Sequence, residues 1–248
     1  MKHLFTLICI CGLVLPKKSV SQKNYALAID KYMQAQVKIN EFSGVILVTT
    51  KDKVIYKKAF GYADREWKIP TTLDTKFEIG SLTKQFTAAA ILQFVEQKKL
   101  LLNDKLNNWF PDYPKGDSVT LHMLLNHTSG ITDYTSLTNF NELHTLPLAK
   151  DSVIALFKNQ PYKFSPGTNW SYSNSNYFLL GCIIEKVSRK TFAEYLFENI
   201  IKKAALPNTG VNRLDSVLAF RAKGYSKQEH GGWKNAEYFS MEFPFSAG

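Results

Sequence analysis

The spacing of apolar residues changes period in an order that limits the folds open to this chain. Phe42–Asp64 reads as two strands around a polar turn at Lys51-Asp52-Lys53. Tyr25–Val37, just before them, carries apolar residues at helical spacing. After a loop from Arg65 to Phe77 the period becomes helical. One helix opens at Ser81 and runs to the lysine pair Lys98-Lys99, where cations suit a helix C-terminus. A short helix opened by Ser118 or Thr120 stops before Gly130, and Lys150–Asn159 supplies another. The polar stretch FSPGTNWSYSNSNY, with Pro166 and Gly167, reads as a loop feeding a helix over Tyr177–Val187, and a further helix starts at Thr191. Strand character returns only in a hairpin around Glu229-His230-Gly231-Gly232-Trp233. Strands gathered apart from helices predict an α+β fold rather than repeated βαβ units.

At 248 residues the chain can bury a sizeable core, as one large domain or two intimate lobes. Its first 21 residues read differently. A basic start at Lys2 precedes an apolar run from Leu4 to Leu15, too short to span a bilayer and ended by Pro16-Lys17-Lys18. This is a signal-peptide pattern, with a small-residue cleavage site at Ser19-Val20-Ser21, and it predicts an exported protein, periplasmic or secreted. Neither Cys9 nor Cys11 follows a small residue, so no lipid anchor is expected and no stable membrane attachment remains after cleavage. Of the formal charge of +10, cleavage removes Lys2, Lys17 and Lys18, so 10 − 3 leaves +7 on the domain at 22–248. That balance suits contact with anionic cell-envelope polymers. No nucleic-acid motif accompanies it. Cys182 is then the sole cysteine, an inert thiol in an apolar run, so no disulfide framework exists. The five histidines form no metal-ligand pattern, and no cofactor is implied.

Glu78–Leu100 contains a local anomaly. Lys84 stands in the first turn of a helix, where a cation is unfavourable by ~0.3–1 kcal/mol. Ser81 three residues earlier could cap that helix, but a capping box would want Glu or Gln at the position Lys84 holds. The three-residue spacing puts Ser81 and Lys84 on one face. Beside a positive helix end and the apolar Phe86 and Ala88-Ala89-Ala90, the charged form of Lys84 is disfavoured. A lysine that sheds its proton can serve as base toward serine, and the same helix end stabilises an anion formed beside it. A Ser-x-x-Lys arises by chance about once in a few hundred residues, so spacing alone leaves both cap and nucleophile open.

Tyr172 and Asn174, in the polar loop WSYSNSNY, form a second element: a tyrosine able to relay a proton and an amide able to donate and accept. In isolation they read as a packed tyrosine and a turn-forming asparagine. With SLTK ahead of them, the sequence resembles the serine β-lactamase and penicillin-binding-protein superfamily. The Tyr-x-Asn form is similar to its class C β-lactamase-related branch, which includes D-alanyl-D-alanine carboxypeptidases and esterases. SGVILV, FEIGSLTKQF, LLNHTSGI, FSPGTNWSYSNSNYFLLG and AKGY stand in the family's order, from about Tyr25 to Gly248. The resemblance implies a β-lactamase/transpeptidase-like fold of a helical region plus an antiparallel sheet. It makes Ser81 the acylated nucleophile, its backbone N–H half of an oxyanion hole, and Lys84 the base or proton relay. Tyr172 would assist proton transfer to the leaving group and Asn174 would orient the substrate. Lys84 and Tyr172 would titrate as a coupled pair. The implied partners are small-molecule or peptide substrates: β-lactams, D-alanyl peptides of cell-wall origin, or small esters. Loops near Tyr134–His144 would help set the choice.

Three other motifs read as structural. His127 belongs to a turn beside the site rather than to a serine–histidine triad. Leu206–Gly210 (LPNTG) is an internal turn, and His230-Gly231-Gly232 is a hairpin turn. The family's third motif, Lys-Thr-Gly or His-x-Gly, is not found: RKTF at Arg189 and NTGV at Asn208 lie in the wrong context. The expectation is therefore a C-terminally incomplete member, lacking the later strands and with little turnover of its own. A non-catalytic sensor of penicillin or peptidoglycan on the same fold is the rival expectation.

Overall fold

A computed structural model describes residues 25–39, 42–213 and 215–248. Residues 1–21, read from the sequence as a signal peptide, lie outside the described residues. The chain divides into two compact units, one of the described residues up to Tyr62 with Lys68–Leu73, the other of Ala63–Trp67 with Asp74–Gly248.

In the first unit, helix α1 (Tyr25–Lys38) packs on a two-stranded antiparallel ribbon of β1 (Gly44–Thr50) and β2 (Lys53–Phe60). The turn at Lys51-Asp52 sets the register Thr50↔Lys53, with a bulge at Val48/Thr49. Alternation turns Ile46 and Val48 toward the buried Met33, Tyr56 and Phe60. Asp30 on α1 accepts hydrogen bonds from Tyr56 Oη and Lys58 Nζ, each at 2.7 Å. These donors, Lys58 first, hold its carboxyl below the usual range. A short β3 (Tyr62–Asp64) ends the stretch read as strand, and the stretch read as loop, Arg65 to Phe77, contains one short extended piece, β4 (Ile69–Pro70).

The second unit is helical. A 3-10 turn, Gly80–Leu82, runs directly into α2 (Thr83–Glu96). There follow α3 (Leu121–Leu125), α4 (Phe140–Leu143), α5 (Lys150–Lys158), α6 (Asn174–Ser188) and α7 (Phe192–Leu196). A hairpin of β5 (Tyr225–Lys227) and β6 (Trp233–Asn235) closes the series. Thr120, one of the two residues expected to open α3, caps it by accepting from Met123 N. Helix α6 is the hub: Ser175–Ile184 are all buried, the apolar run Tyr177–Ile184 on every side. Ile91 and Phe94 of α2, Leu121 and Leu124 of α3, Val153 and Phe157 of α5 and Leu196 of α7 fill the core around it. Cys182 lies in this core, its thiol pushed up to about 12 by burial, so it is inert.

Within the segment Tyr134–His144 the chain forms a 3-10 turn, Tyr134–Ser136, and α4, with Tyr134 and His144 buried in the aromatic core. LPNTG is a turn, closed by Thr209 N donating to Leu206 O. Gly231 and Gly232, both at φ +87°, turn the β5–β6 hairpin.

Helix α7 opens with a capping box. Thr191 Oγ1 accepts from Glu194 N at 3.2 Å while Glu194 Oε2 accepts from Thr191 N at 2.9 Å. Thr191→Ala removes one half of this exchange, and urea unfolding should show a loss of about 1 kcal/mol.

Candidate active site

Ser81 is not a helix cap. It is the middle residue of the 3-10 turn, whose N-cap is Ile79 and which has no side-chain cap; Gly80 at φ +52° makes the entry. That frees the hydroxyl. Ser81 Oγ lies 2.7 Å from Tyr172 Oη and 3.1 Å from Lys84 Nζ, so the three-residue spacing on one turn does bring serine and lysine together. Lys84 is buried, at 7% exposure. Its amino group also donates to Asn174 Oδ1 at 2.7 Å and to the main-chain carbonyl of Ala247 at 2.5 Å. The rings of Tyr172 and Tyr177 face it at 4.7 and 5.5 Å. All four residues singled out in the sequence thus meet at one point.

Asn174 departs from the sequence reading. It is not in the loop but is the first residue of α6, which starts three residues earlier than the apolar periodicity indicates. The reason is that Asn174, Ser175 and Asn176 spend their polar groups on a neighbouring chain segment, so the first turn is helical without being apolar. Ser175 Oγ donates to Thr132 O at 2.7 Å, and Asn176 Oδ1 accepts from Ser129 Oγ at 2.6 Å.

Asp133 is the residue that sequence reasoning missed. It is 7% exposed, and its carboxylate accepts from Asn174 N at 3.1 Å and Asn174 Nδ2 at 3.2 Å. Thr135 N and Oγ1 donate to it as well, at 3.2 and 2.8 Å. Asp133 therefore fixes which way the Asn174 amide faces: NH2 toward the carboxylate, carbonyl oxygen toward the Lys84 amino group. The only trace in the sequence is an aspartate well placed to cap the turn Tyr134–Ser136, a common structural use.

His127 stands beside the site, as expected of a turn residue. Its backbone is left-handed at φ +63°, and its Nδ1 accepts from Ser173 N at 3.2 Å. Its ring lies against Tyr172 at 4.6 Å and Tyr177 at 5.2 Å. Burial first, and the nearby Lys84 charge second, lower its titration to about 4. It is neutral near pH 7. Three residues on, Gly130, at φ +77°, lets Phe164 O approach to where a Cβ would sit 2.2 Å away.

No group of three or more His, Cys, Asp or Glu suited to a metal ion occurs among the described residues, and no helix among them is long and apolar enough to cross a membrane.

A serine, lysine and tyrosine meeting at the start of a helix, with a buried, largely helical core behind them, define a β-lactamase/transpeptidase-like protein. The beta-lactamase family model matches residues 29–247, and the chain belongs to that family. A Bacillus subtilis (strain 168) penicillin-binding protein is 34% identical over 175 residues, 69% of this chain but 38% of its own length. The chain thus spans less than half of that relative. Among solved structures, the penicillin-binding protein from Bacillus halodurans superposes with a TM-score of 0.74 at 34% identity, covering 82% of this chain and 63% of that one. A D-stereospecific amidohydrolase from Streptomyces gives 0.62 at 28% identity, covering 70% and 56%.

Proposed function

We propose that the protein is an exported serine hydrolase that works through an acyl-enzyme on Ser81, cleaving an amide or ester. The observation that carries this is the convergence on Ser81 Oγ of Tyr172 Oη at 2.7 Å and Lys84 Nζ at 3.1 Å. Two groups able to take a proton touch one hydroxyl that serves as no cap. Ser81 Oγ attacks the substrate carbonyl carbon and its proton passes to the Lys84–Tyr172 pair. The tetrahedral adduct then expels the amine or alkoxide, which leaves with that proton through Tyr172. Water attacks the resulting Ser81 ester, the acid departs, and Oγ recovers its hydrogen. Asn174 holds the lysine on one side through its Oδ1.

The Tyr-x-Asn form supports the class C-related branch. The penicillin-binding relatives and the D-stereospecific amidohydrolase support a β-lactam or an amide of a D-configured residue, such as a D-alanyl peptide of cell-wall origin, over a simple ester. Export rests on the apolar run Leu4–Leu15 behind Lys2.

The test is to incubate the protein with benzylpenicillin and, separately, with a fluorophosphonate, then locate the adduct by peptide mass spectrometry. An adduct on Ser81, absent from Ser81→Ala, is the expected result. Release of penicilloate identifies an enzyme, whereas a stable Ser81 adduct without release identifies a penicillin-binding sensor. No adduct on folded protein refutes acylation altogether.

A further inference from the structure

We propose that residues 244–247 form a positioning latch for Lys84, set by Thr87 on one helix and by the missing side chain of Gly181 on another. The inference rests on the acyl-enzyme reading of Ser81.

Two successive carbonyls of this segment face α2. Ala247 O accepts from Lys84 Nζ at 2.5 Å, and Ser246 O accepts from Thr87 Oγ1 at 2.7 Å. Thr87 is three residues beyond Lys84, hence on the same face of the helix. The segment is tied to α6 as well, where Ser246 Oγ donates to Tyr177 O at 2.8 Å. Its own turn is closed by Ala247 N donating to Pro244 O at 2.8 Å. Thr87 and Ser246 are wholly buried, so these bonds have no competition from water.

Gly181 supplies an independent observation. It sits in the middle of α6, where glycine costs about 1 kcal/mol relative to alanine. A Cβ there would lie 1.9 Å from Ser246 Oγ, 2.4 Å from Ser246 Cβ and 2.7 Å from Phe245 Cε1. The glycine thus opens the space that lets the segment descend far enough for Ala247 O to reach the lysine.

The consequence for Lys84 is orientation. A neutral amino group has two hydrogens and one lone pair. Asn174 Oδ1 and Ala247 O accept the two hydrogens, so a neutral Lys84 turns its lone pair to the Ser81 hydroxyl along the same 3.1 Å line on which the protonated amine donates to Ser81 Oγ. Once protonated, the same nitrogen keeps both partners and gains a third hydrogen without moving. With Ala247 O displaced, the amino group can rotate and the lone pair is no longer held on the serine. Thr87, Ser246 and Gly181 touch no reacting atom and are positioning residues.

The experiment compares the wild-type chain with Thr87→Val, Thr87→Ser and Gly181→Ala. Stopped-flow acylation by p-nitrophenyl acetate is followed across ester concentration, and the 13Cε NMR signal of Lys84, assigned by its loss in Lys84→Met, is recorded in each. Thr87→Val and Gly181→Ala should lower the limiting acylation rate at least about tenfold with half-saturation unchanged. Both should also move the Lys84 signal, and Thr87→Ser should restore rate and signal. Wild-type rate and an unmoved Lys84 signal in Thr87→Val would overturn the latch. The signal needs no turnover, so if the wild-type chain resists acylation, the hydrolase reading fails while the Lys84 signals still decide the latch. If Gly181→Ala does not fold, the two Thr87 variants decide alone.

Discussion

Lys84→Met should slow acylation of Ser81 by about 10²–10⁴-fold, the range expected when a positioned acid–base group is lost. Methionine nearly matches the lysine stem in length, so the rings of Tyr172 and Tyr177 keep an apolar neighbour. What disappears is the one nitrogen that links Ser81 Oγ, Asn174 Oδ1 and Ala247 O. Two buried acceptors then lack a donor, a penalty of about 1–3 kcal/mol each, offset in part because a buried amino group no longer has to be desolvated. The kinetic loss is therefore the larger and cleaner signal. It is read as the rate of adduct formation with a fluorophosphonate, monitored by intact mass. Tyr172 still touches Ser81 at 2.7 Å, so residual acylation in the variant measures what the tyrosine can do alone. A variant labelled at the wild-type rate would show that Lys84 takes no proton in the reaction.

The largest stability loss is expected from Asp133→Ala, about 3 kcal/mol by denaturant unfolding. Hydrogen bonds to a charged acceptor contribute about 1.5–3 kcal/mol each, and the carboxylate accepts four: from Asn174 N, Asn174 Nδ2, Thr135 N and Thr135 Oγ1. It also places a negative charge at the N-terminus of α6, where the helix end favours an anion. The four bonds share donors on two short segments and are not additive, which keeps the estimate well below their sum. Acylation should fall too, because the Asn174 amide loses the partner that keeps its oxygen toward Lys84. Asp133→Asn keeps the shape but brings an NH2 group to face existing donors, so it should fall between the two. A loss under about 0.5 kcal/mol for Asp133→Ala, the size of an ordinary surface change, would show that this carboxylate organises nothing.

The sequence alone determined the features that depend on short separations. Helix α1, the β1–β2 ribbon, α5 and the β5–β6 hairpin follow from period and turn residues, and all stand close to where those signals put them. The Ser81–Lys84 contact follows from three-residue spacing on a helical turn, which is geometry the chain carries locally. For Tyr172 and Asn174 the side-chain chemistry alone leaves a structural reading open, and only the family resemblance sets them against SLTK; nothing in the local chemistry of WSYSNSNY says that it faces SLTK.

Tertiary structure decided the rest. Asp133, Ala247, Thr87 and Gly181 carry no local signature, since an aspartate before a turn, a carbonyl, a helical threonine and a helical glycine each have an ordinary use. Their roles come from contacts across long stretches of sequence, such as Lys84 to Ala247 O and Thr87 Oγ1 to Ser246 O. Local propensity sees at most one helical turn in each direction, and main-chain carbonyls are identical at every residue. Only the folded chain, by closing those long loops around α6, gives one carbonyl and one missing Cβ a position beside the lysine.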